Sequence, residues 1–385
     1  MPIQLPSVGL ALAALLVAAL VALISTPVVR SLAFRVGAVD VPRDDRRMHD
    51  HPIPRMGGLA IFFGFILSVL IFLPLTPELR GMLLGGVVIL ILGIFDDIYA
   101  LPAKPKFLVQ IGAALIAVLQ GNQIQFLSNP NIFSKEAFWE LGWLSVPITV
   151  VWIVGITNAV NLIDGLDGLA CGVSTISSMT LLVIALIVAE PDVAILMAAL
   201  AGSCIGFLPY NLNPAKIFMG DTGATFLGFI LATVSIQGLF KFYAIISFAV
   251  PFLMLGLPIF DTCFAILRRV SHGQSPMKPD RGHIHHRLID MGFSQKQAVA
   301  VLYIISAILG LSAVVLTTIG VVRAMLFLLA LCAAGAVASK LYLDHNGDSG
   351  QPPQHSSGSS RVARPRQSRP MDSGNFFGEE DRSEK

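Results

Sequence analysis

Long apolar runs of about twenty residues make up most of the chain, and short polar segments separate them. A run of that length is what an α-helix needs to cross the hydrocarbon core of a bilayer. The pattern predicts about eleven transmembrane helices, and ten or twelve also agree with it. The runs cover residues 8–29, 57–75, 79–95, 107–127, 144–163, 169–188, 192–209, 222–239, 242–266, 297–317 and 320–341.

The composition agrees with this pattern. Hydrophobic residues make up 55% of the chain and charged residues only 13%, and the mean hydropathy is +0.75. A soluble domain is usually about one quarter charged. We therefore expect an all-α fold, a polytopic integral membrane helix bundle.

The positions of the basic residues predict an orientation. The first run lacks a basic segment before it and is followed by Arg30 and Arg35, which is typical of an uncleaved anchor with its N-terminus outside. Alternating sides from there places about fifteen Lys and Arg residues in cytoplasmic loops and about four in the opposite loops. We expect residues 1–344 to form a transmembrane catalytic domain and residues 345–385, rich in Pro, Gly, Ser, Gln and Arg, to form a disordered cytoplasmic tail.

Polar residues recur at every third position in the segment NAVNLIDGLDGLA, at the end of the fifth apolar run. These residues are Asn158, Asn161, Asp164 and Asp167. A step of three keeps helical side chains near one face, so the pattern predicts a polar stripe. The glycines that follow weaken the helix and suggest that the stripe ends at a mouth of the bundle.

Two adjacent carboxylates, Asp96 and Asp97, directly follow the third run in FDDIYALPAKPK, and Lys106 precedes the next run. Like charges at this separation repel, and a cation, or a phosphate bridged by a cation, would relieve the repulsion. The alternative is a pair of solvated carboxylates that only marks the end of a helix.

The segment YNLNPAKIFMGDTG joins the seventh and eighth runs and carries Asn211, Phe218 and Asp221. MGDTG resembles a tight turn into a helix N-terminus. Asp221 is then either a simple N-cap or a carboxylate aimed, with free N–H groups, at a bound phosphate and its metal.

The segment SPMKPDRGHIHHRL is basic and carries Arg281, His283, His285 and His286. Arg and His supply several N–H donors for oxyanions, which favours a loop that grips a polyphosphate. Zinc is an alternative, although no Cys or acidic residue adjoins the histidines. A solvated loop that only obeys the positive-inside rule is another.

Two further features leave questions open. A basic loop ends in Gly57 and Gly58, which either admit a phosphate or allow two helices to approach closely. Asp261 lies inside the ninth run, where a lone charge is costly, so we expect it to point into the bundle towards a partner that the sequence does not identify.

In the predicted topology all the polar segments face the cytoplasm. A cytoplasmic membrane mouth with carboxylates, amides, Lys, Arg and His suits phosphoryl transfer between a soluble nucleotide and a lipid phosphate. The expected cofactor is Mg²⁺, with Mn²⁺ as an alternative, because hard cations take oxygen ligands and neutralise charge as a P–O bond breaks.

The ordered motifs at Asp96, NAVNLIDGLDGLA, FMGDTG and HIHH resemble those of the polyprenyl-phosphate N-acetylhexosamine-1-phosphate transferases, of the glycosyltransferase family 4 type. The resemblance covers about residues 35–300. KPDRGHIHHRL is similar to the branch that uses UDP-GlcNAc, since Ile284 interrupts the histidine run typical of the phospho-MurNAc-pentapeptide transferases.

The resemblance implies roles for the matching positions. Asp221 would be the principal Mg²⁺ ligand, with Asn161 as a second. Asp96 and Asp97 would position the attacking lipid phosphate, with its deprotonation by Asp96 as an open alternative, and Lys106 would hold phosphate. The residues that would contact the nucleotide sugar are Asp164, Asp167, Asn211, Phe218, Arg281, His283, His285 and His286.

The implied reaction is attack of undecaprenyl phosphate on UDP-GlcNAc, giving undecaprenyl-diphospho-GlcNAc and UMP at the cytoplasmic side of a bacterial plasma membrane. This step would initiate a cell-envelope polysaccharide or teichoic acid. Membrane lipid is an expected partner, nucleic acid is not, and a homodimer stays open. The alternatives are a phospho-MurNAc-pentapeptide transferase and, more remotely, a secondary transporter of an anionic sugar, which would bind near the midplane between repeated halves.

Overall fold

The computed structural model describes residues 5–41, 51–128, 138–239, 249–275 and 282–319, with 326, 327 and 329 of the last apolar run. This part of the chain is mainly helical, with two short pairs of strands. Its helices are α1 (Leu5–Val36), α2 (Gly58–Phe72), α3 (Pro77–Tyr99), α4 (Ala103–Leu119), α5 (Ser145–Leu162), α6 (Leu169–Ile187), α7 (Pro191–Asn211), α8 (Gly220–Leu239), α9 (Ala249–Met254), α10 (Gly256–Ser271), α11 (Ile284–Asp290) and α12 (Gln295–Ile319).

Six of the helices in the described ranges are long and apolar enough to cross a membrane, and α2 is a shorter apolar helix. The six spans are Ser7–Val36, Pro77–Tyr99, Gly142–Leu162, Leu169–Ile187, Pro191–Asn211 and Gln295–Thr318. The protein is therefore a multi-pass membrane protein. The predicted count of about eleven spans and the predicted orientation stay predictions. The last run and the tail from residue 345 lie almost wholly outside the described residues.

Helix α8 lies at the centre of the bundle and packs against α2, α3, α5 and α6. Its side chains from residue 222 to residue 236 are buried on all sides, including those of Phe226, Phe229 and Ile230. A helix that is buried all round belongs to the core of a bundle, which fits this position. Close approach to α2 needs glycine on both helices, since a Cβ added to Gly58 would overlap the backbone of Gly223.

The ninth predicted run is not one helix in the part that the structure describes. Leu255 separates α9 from α10. Pro258 has no N–H to donate to the carbonyl of Met254, and the Ser177 hydroxyl donates to that carbonyl instead, at 2.7 Å. The break is thus explained by a proline whose missing hydrogen bond a neighbouring helix replaces.

The fourth run also ends earlier than expected. Helix α4 stops at Leu119, and the amide of Asn122 donates to the carbonyls of Ala117 and Glu78. The following residues enter a short antiparallel pair, β3 (Phe126–Ser128) and β4 (Phe138–Glu140). Hydrophobicity alone did not distinguish this strand from the end of a helix.

A second antiparallel pair supports the functional end of the bundle. Strands β1 (Val39–Asp40) and β2 (Ile53–Pro54) pair directly, and Arg55 forms an ion pair with Asp40 at 2.9 Å. The carbonyl of Pro54 accepts a hydrogen bond from the backbone N–H of Phe218 at 2.8 Å. This pair therefore connects the loop after α1 to the turn that begins α8.

Candidate functional site

The N-terminus of α8 is held by a carboxylate from another helix. Asp97, near the end of α3, accepts hydrogen bonds from the backbone N–H groups of Asp221 at 2.9 Å and Thr222 at 3.1 Å, and from the Thr222 hydroxyl at 2.6 Å. Asp97 is only 7% exposed. The two N–H groups expected to face a phosphate are thus already bonded, and Asp97 caps α8 from outside the helix.

Glycine at position 220 makes this cap possible. Gly220 has φ +71°, a left-handed conformation that favours glycine. A Cβ at this position would also overlap the Asp97 carboxylate. The MGDTG turn is therefore specified by backbone conformation and by the close approach of Asp97.

The two adjacent carboxylates have separate partners. Asp96 forms an ion pair with Lys106 at 2.6 Å and accepts a hydrogen bond from the backbone N–H of Leu101 at 2.8 Å. Asp97 faces α8 instead. Each carboxylate therefore has its own protein partners, and the cation, or phosphate bridged by a cation, expected beside this pair stays a prediction.

Asp221 lies in the first turn of α8 beside the end of α5. The amide of Asn161 donates to the Asp221 carboxylate at 2.8 Å. Asn158, one turn earlier, donates instead to Gln110 on α4 and to the carbonyl of Val154, both at 2.7 Å. The predicted polar stripe therefore divides, with Asn161 at the α8 turn and Asn158 in a helix contact.

Asp164 lies in the loop between α5 and α6, close enough to Asp221 and Asp97 to be affected by their charges. Burial, and then the negative charges of Asp221 and Asp97, raise the pKa of its carboxyl to about 8, against an opposing influence of Arg55. Three carboxylates thus influence one another around the start of α8. A cation bound there would relieve this repulsion.

Asp167 and Asn211 shape the neighbouring loop. The Asp167 carboxylate accepts hydrogen bonds from the Asn213 amide at 2.9 Å and the Ala215 backbone N–H at 3.0 Å. The Asn211 amide donates to the carbonyl of Ile217 at 3.1 Å, while its buried amide oxygen has no hydrogen-bond partner among the described residues. Asp167 therefore fixes the loop between α7 and α8, whereas Asn211 keeps one acceptor available.

Phe218 is half-buried and lies two residues before α8. Its carbonyl accepts from Gly57 N–H at 2.9 Å, and the next carbonyl, of Met219, accepts from Gly58 N–H at 2.9 Å. Of the two sequence interpretations of the glycine pair, the structure supports close packing, because both N–H groups contact the α8 turn.

The segment that carries His283, His285 and His286, called the histidine loop below, is positioned by Asp261 of α10. Asp261 is the carboxylate whose partner the sequence did not identify. Asp261 contacts His283 Nδ1 at 2.8 Å and accepts from the backbone N–H of Ile284 at 2.8 Å, at the start of α11. Both Asp261 and His283 are buried. The spacing of 22 residues gave no local signal of this contact.

His285 connects this loop to the acidic segment. Its ring stacks on His283 with 5.7 Å between centroids and lies 4.3 Å from the ring of His286. A Cβ on Gly165 would overlap the His285 imidazole, so the ring lies directly against the residue after Asp164. Burial, and then the positive charge of His286, lower the pKa of His285 to about 4, which keeps the ring neutral at pH 7. Arg281 lies outside the described residues.

A magnesium ion is compatible with these residues. Among the residues described, no group of three or more His, Cys, Asp or Glu side chains is arranged to hold a metal. Mg²⁺ does not need such a group, since it usually binds one or two protein carboxylates and completes its shell with water and substrate phosphates. Asp221 and the side-chain oxygen of Asn161 supply oxygen donors of the kind that this ion prefers, and a cation there would offset the repulsion that raises the pKa of Asp164.

Comparison with known proteins shows clear relatives. The profile of glycosyl transferase family 4 matches residues 79–239. A probable undecaprenyl-phosphate N-acetylglucosaminyl 1-phosphate transferase of Bacillus subtilis is 46% identical over 304 residues, covering 79% of this chain and 84% of the relative. A decaprenyl-phosphate N-acetylglucosaminephosphotransferase of Mycolicibacterium smegmatis is 34% identical over 318 residues, covering 75% and 78%. A phospho-N-acetylmuramoyl-pentapeptide-transferase of Staphylococcus aureus is 30% identical over 275 residues, covering 67% and 83%.

Proposed function

The chain belongs to glycosyl transferase family 4, and we propose that it transfers GlcNAc-1-phosphate from UDP-GlcNAc to undecaprenyl phosphate. The products are undecaprenyl-diphospho-GlcNAc and UMP. The relative from Bacillus subtilis, with 46% identity, is named for this acceptor and this sugar phosphate, whereas the pentapeptide transferase of Staphylococcus aureus has 30% identity. The similarity therefore favours GlcNAc over the muramoyl-pentapeptide as the transferred group.

One observation carries the proposal: groups from four helices and one loop meet at the N-terminus of the buried helix α8. Asp97 comes from α3, Asn161 from α5 and Asp221 from α8 itself, with Asp164 in the loop after α5. Lys106 of α4 pairs with the carboxylate beside Asp97. Acidic oxygens next to a cationic side chain are what two phosphorylated substrates and a divalent ion require.

In the proposed reaction an oxygen of the lipid phosphate attacks the β-phosphorus of UDP-GlcNAc. The bond from that phosphorus to the bridging oxygen breaks, and the oxygen leaves with UMP. A phosphate monoester has its second pKa near 6 and is largely ionised at pH 7, so the attack needs no strong base. Asp96 then acts mainly by holding the Lys106 ammonium, which binds the lipid phosphate.

The remaining residues orient the donor. Asp97 fixes the α8 turn and so fixes the direction of the Asp221 carboxylate. Mg²⁺ or Mn²⁺, held by Asp221 and Asn161, would neutralise the charge that develops on the diphosphate. We assign the diphosphate and sugar to His283, His285, His286 and Arg281, and the nucleotide to Asp164, Asn211 and Phe218. Asp167 supports this region through the loop that it binds.

We place the reaction at the cytoplasmic side of the bacterial plasma membrane, where nucleotide sugars are available. The distribution of basic residues in the sequence supports this orientation. The lipid-linked product would start a cell-envelope polysaccharide or a teichoic acid.

The direct test is an assay of the purified protein with undecaprenyl phosphate and each of two donors, UDP-GlcNAc and UDP-MurNAc-pentapeptide. We expect UMP release and a radiolabelled lipid product with UDP-GlcNAc only, and loss of both on chelation of divalent ions. Asp221→Asn should abolish turnover, while Asp192→Asn, the same change at an exposed position in the first turn of α7, should leave it intact. Turnover with the pentapeptide donor alone would reject the assignment to GlcNAc.

A further inference from the structure

A cavity distinct from the α8 site opens between the end of α1 and the end of α7. It has a volume of about 440 Å³ and is lined by Pro27, Arg30, Ser31, Phe34, Tyr210 and Lys216. The catalytic candidates described above are not among these residues. The size is within the range typical of small-molecule sites.

Two cationic residues line this cavity, and the side chain of one contacts the backbone of the other. The Arg30 Nε donates to the backbone carbonyl of Lys216 at 3.2 Å, and the Arg30 guanidinium lies 5.8 Å from the centre of the Phe34 ring. In the part of the chain that the structure describes, no carboxylate pairs with either cation. Both residues line the cavity, so the remaining guanidinium donors and the Lys216 ammonium can bind an anion with several oxygens there.

The surface beside the cavity is apolar. Leu12, Leu16, Leu20 and Leu23 lie three or four residues apart on α1 and are between 39% and 58% exposed. Continued at the same spacing along the helix, this strip reaches Pro27 and Arg30 of the cavity. In a membrane-spanning helix such a strip faces acyl chains. The strip and the two cations together match a molecule with an apolar chain and an anionic head.

We propose that this cavity binds the phosphate headgroup of an anionic phospholipid, whose acyl chains lie along the exposed strip of α1. Tyr210 and Phe34 fit this position, because aromatic side chains are frequent at the level of the headgroups. Each Lys or Arg near the membrane surface strengthens the binding of anionic lipid by roughly five-fold.

The bound lipid would contact the loop that precedes the candidate active site. Lys216 lies in the loop between α7 and α8. The backbone N–H groups of Lys216 and of the next residue both donate to the Tyr210 carbonyl, that of Lys216 at 2.8 Å. The same loop is held by Asp167 through the Ala215 N–H. A headgroup at Lys216 therefore stabilises the loop between α7 and α8 from the lipid side.

The experiment measures lipid binding to the delipidated protein in detergent, without either transferase substrate. Native mass spectrometry during titration with phosphatidylglycerol gives the affinity, and phosphatidylcholine provides the zwitterionic comparison. The variants are Arg30→Gln/Lys216→Gln, which removes both charges, Arg30→Lys, which keeps the charge, and Arg35→Gln, which removes an exposed basic residue outside the cavity.

We expect the double variant to bind phosphatidylglycerol about thirty-fold more weakly than the unmodified protein. Arg30→Lys and Arg35→Gln should remain within a few-fold of it, and phosphatidylcholine should bind weakly to all. Equal binding by the double variant, or an equal loss in Arg35→Gln, would overturn the site. Displacement of the lipid by free glycerol phosphate at similar concentrations would also overturn it, since the site would then recognise a soluble anion. These outcomes do not depend on transfer activity.

Discussion

Replacing Asp97 with Asn tests whether this carboxylate anchors the start of α8. The amide keeps the size of the side chain but offers only one acceptor oxygen. With that oxygen facing the two Thr222 donors, the amide nitrogen opposes the N–H of Asp221, which now donates at 2.9 Å. The variant therefore loses one charge-assisted hydrogen bond and the negative charge at a helix N-terminus.

The magnitudes of these two losses can be added. A hydrogen bond to a charged group contributes about 1.5–3 kcal/mol, and a charge at a helix N-terminus about 0.3–1 kcal/mol. We expect a loss of about 3 kcal/mol and a fall of roughly 5 °C in the apparent melting temperature. Movement of Asp221 by about 1 Å should lower the transfer rate by about a hundred-fold.

The assay pairs thermal unfolding in detergent with UMP release. Thr222→Val is the graded comparison, because it removes only the hydroxyl bond at 2.6 Å and should cost about 1.5 kcal/mol and less than tenfold in rate. Asp192→Asn controls for the change in charge. If the Asp97→Asn protein has the same melting temperature as the unmodified protein and is still inactive, the anchoring argument is refuted. Direct contact of Asp97 with substrate would then be favoured.

Three further predictions concern other parts of the site. Gly220→Ala should prevent the α8 turn from forming and abolish transfer, while Gly112→Ala, at an exposed helical position with open space, should be silent in the same melting and transfer assays. The pKa of Asp164, about 8 in the fold against 3.8 ordinarily, means that the folded state holds a proton that the unfolded chain releases. The metal-free protein should therefore lose stability as pH rises from 3.8 towards 8, and melting temperatures across pH 6–8.5 should show a shallower slope for Asp164→Asn. Asp261→Asn should raise the KM for UDP-GlcNAc at least about tenfold by releasing His283, as steady-state kinetics would show, whereas a change in kcat alone would contradict this positioning role.

Hydrophobic runs predicted the positions of most helices, because the length and hydrophobicity of a run are local properties that the sequence shows directly. The runs failed at two places where a helix is interrupted or ends inside a predicted run. Pro258 divides the ninth run, and Asn122 ends the fourth before the strand at Phe126. Both exceptions depend on hydrogen bonds to other elements, from Ser177 in the first case and to Glu78 in the second. Such partners are distant in sequence, so no window along the chain contains them.

In the candidate site, too, the sequence showed some features and not others. The polar segments themselves were evident from the sequence, and the structure brings Asp97, Asn161 and Asp221 together. The pairing within them was not evident. Asp96 and Asp97 are neighbours with different partners, and Asp261 meets a histidine on a separate element. Residue type indicates the chemistry of a segment, but the direction of each side chain depends on how the helices pack.

The burial of α8 on every side has a consequence for turnover. Asp221, the residue expected to act on the diphosphate, belongs to this buried helix, and Asp97 fixes the first turn of the helix. We therefore expect the movements that accompany substrate exchange to occur in the loops around this helix, which are the histidine loop and the loop before α8. Donor preference can consequently change through substitutions in those outer segments, while the centre that handles phosphorus keeps its shape.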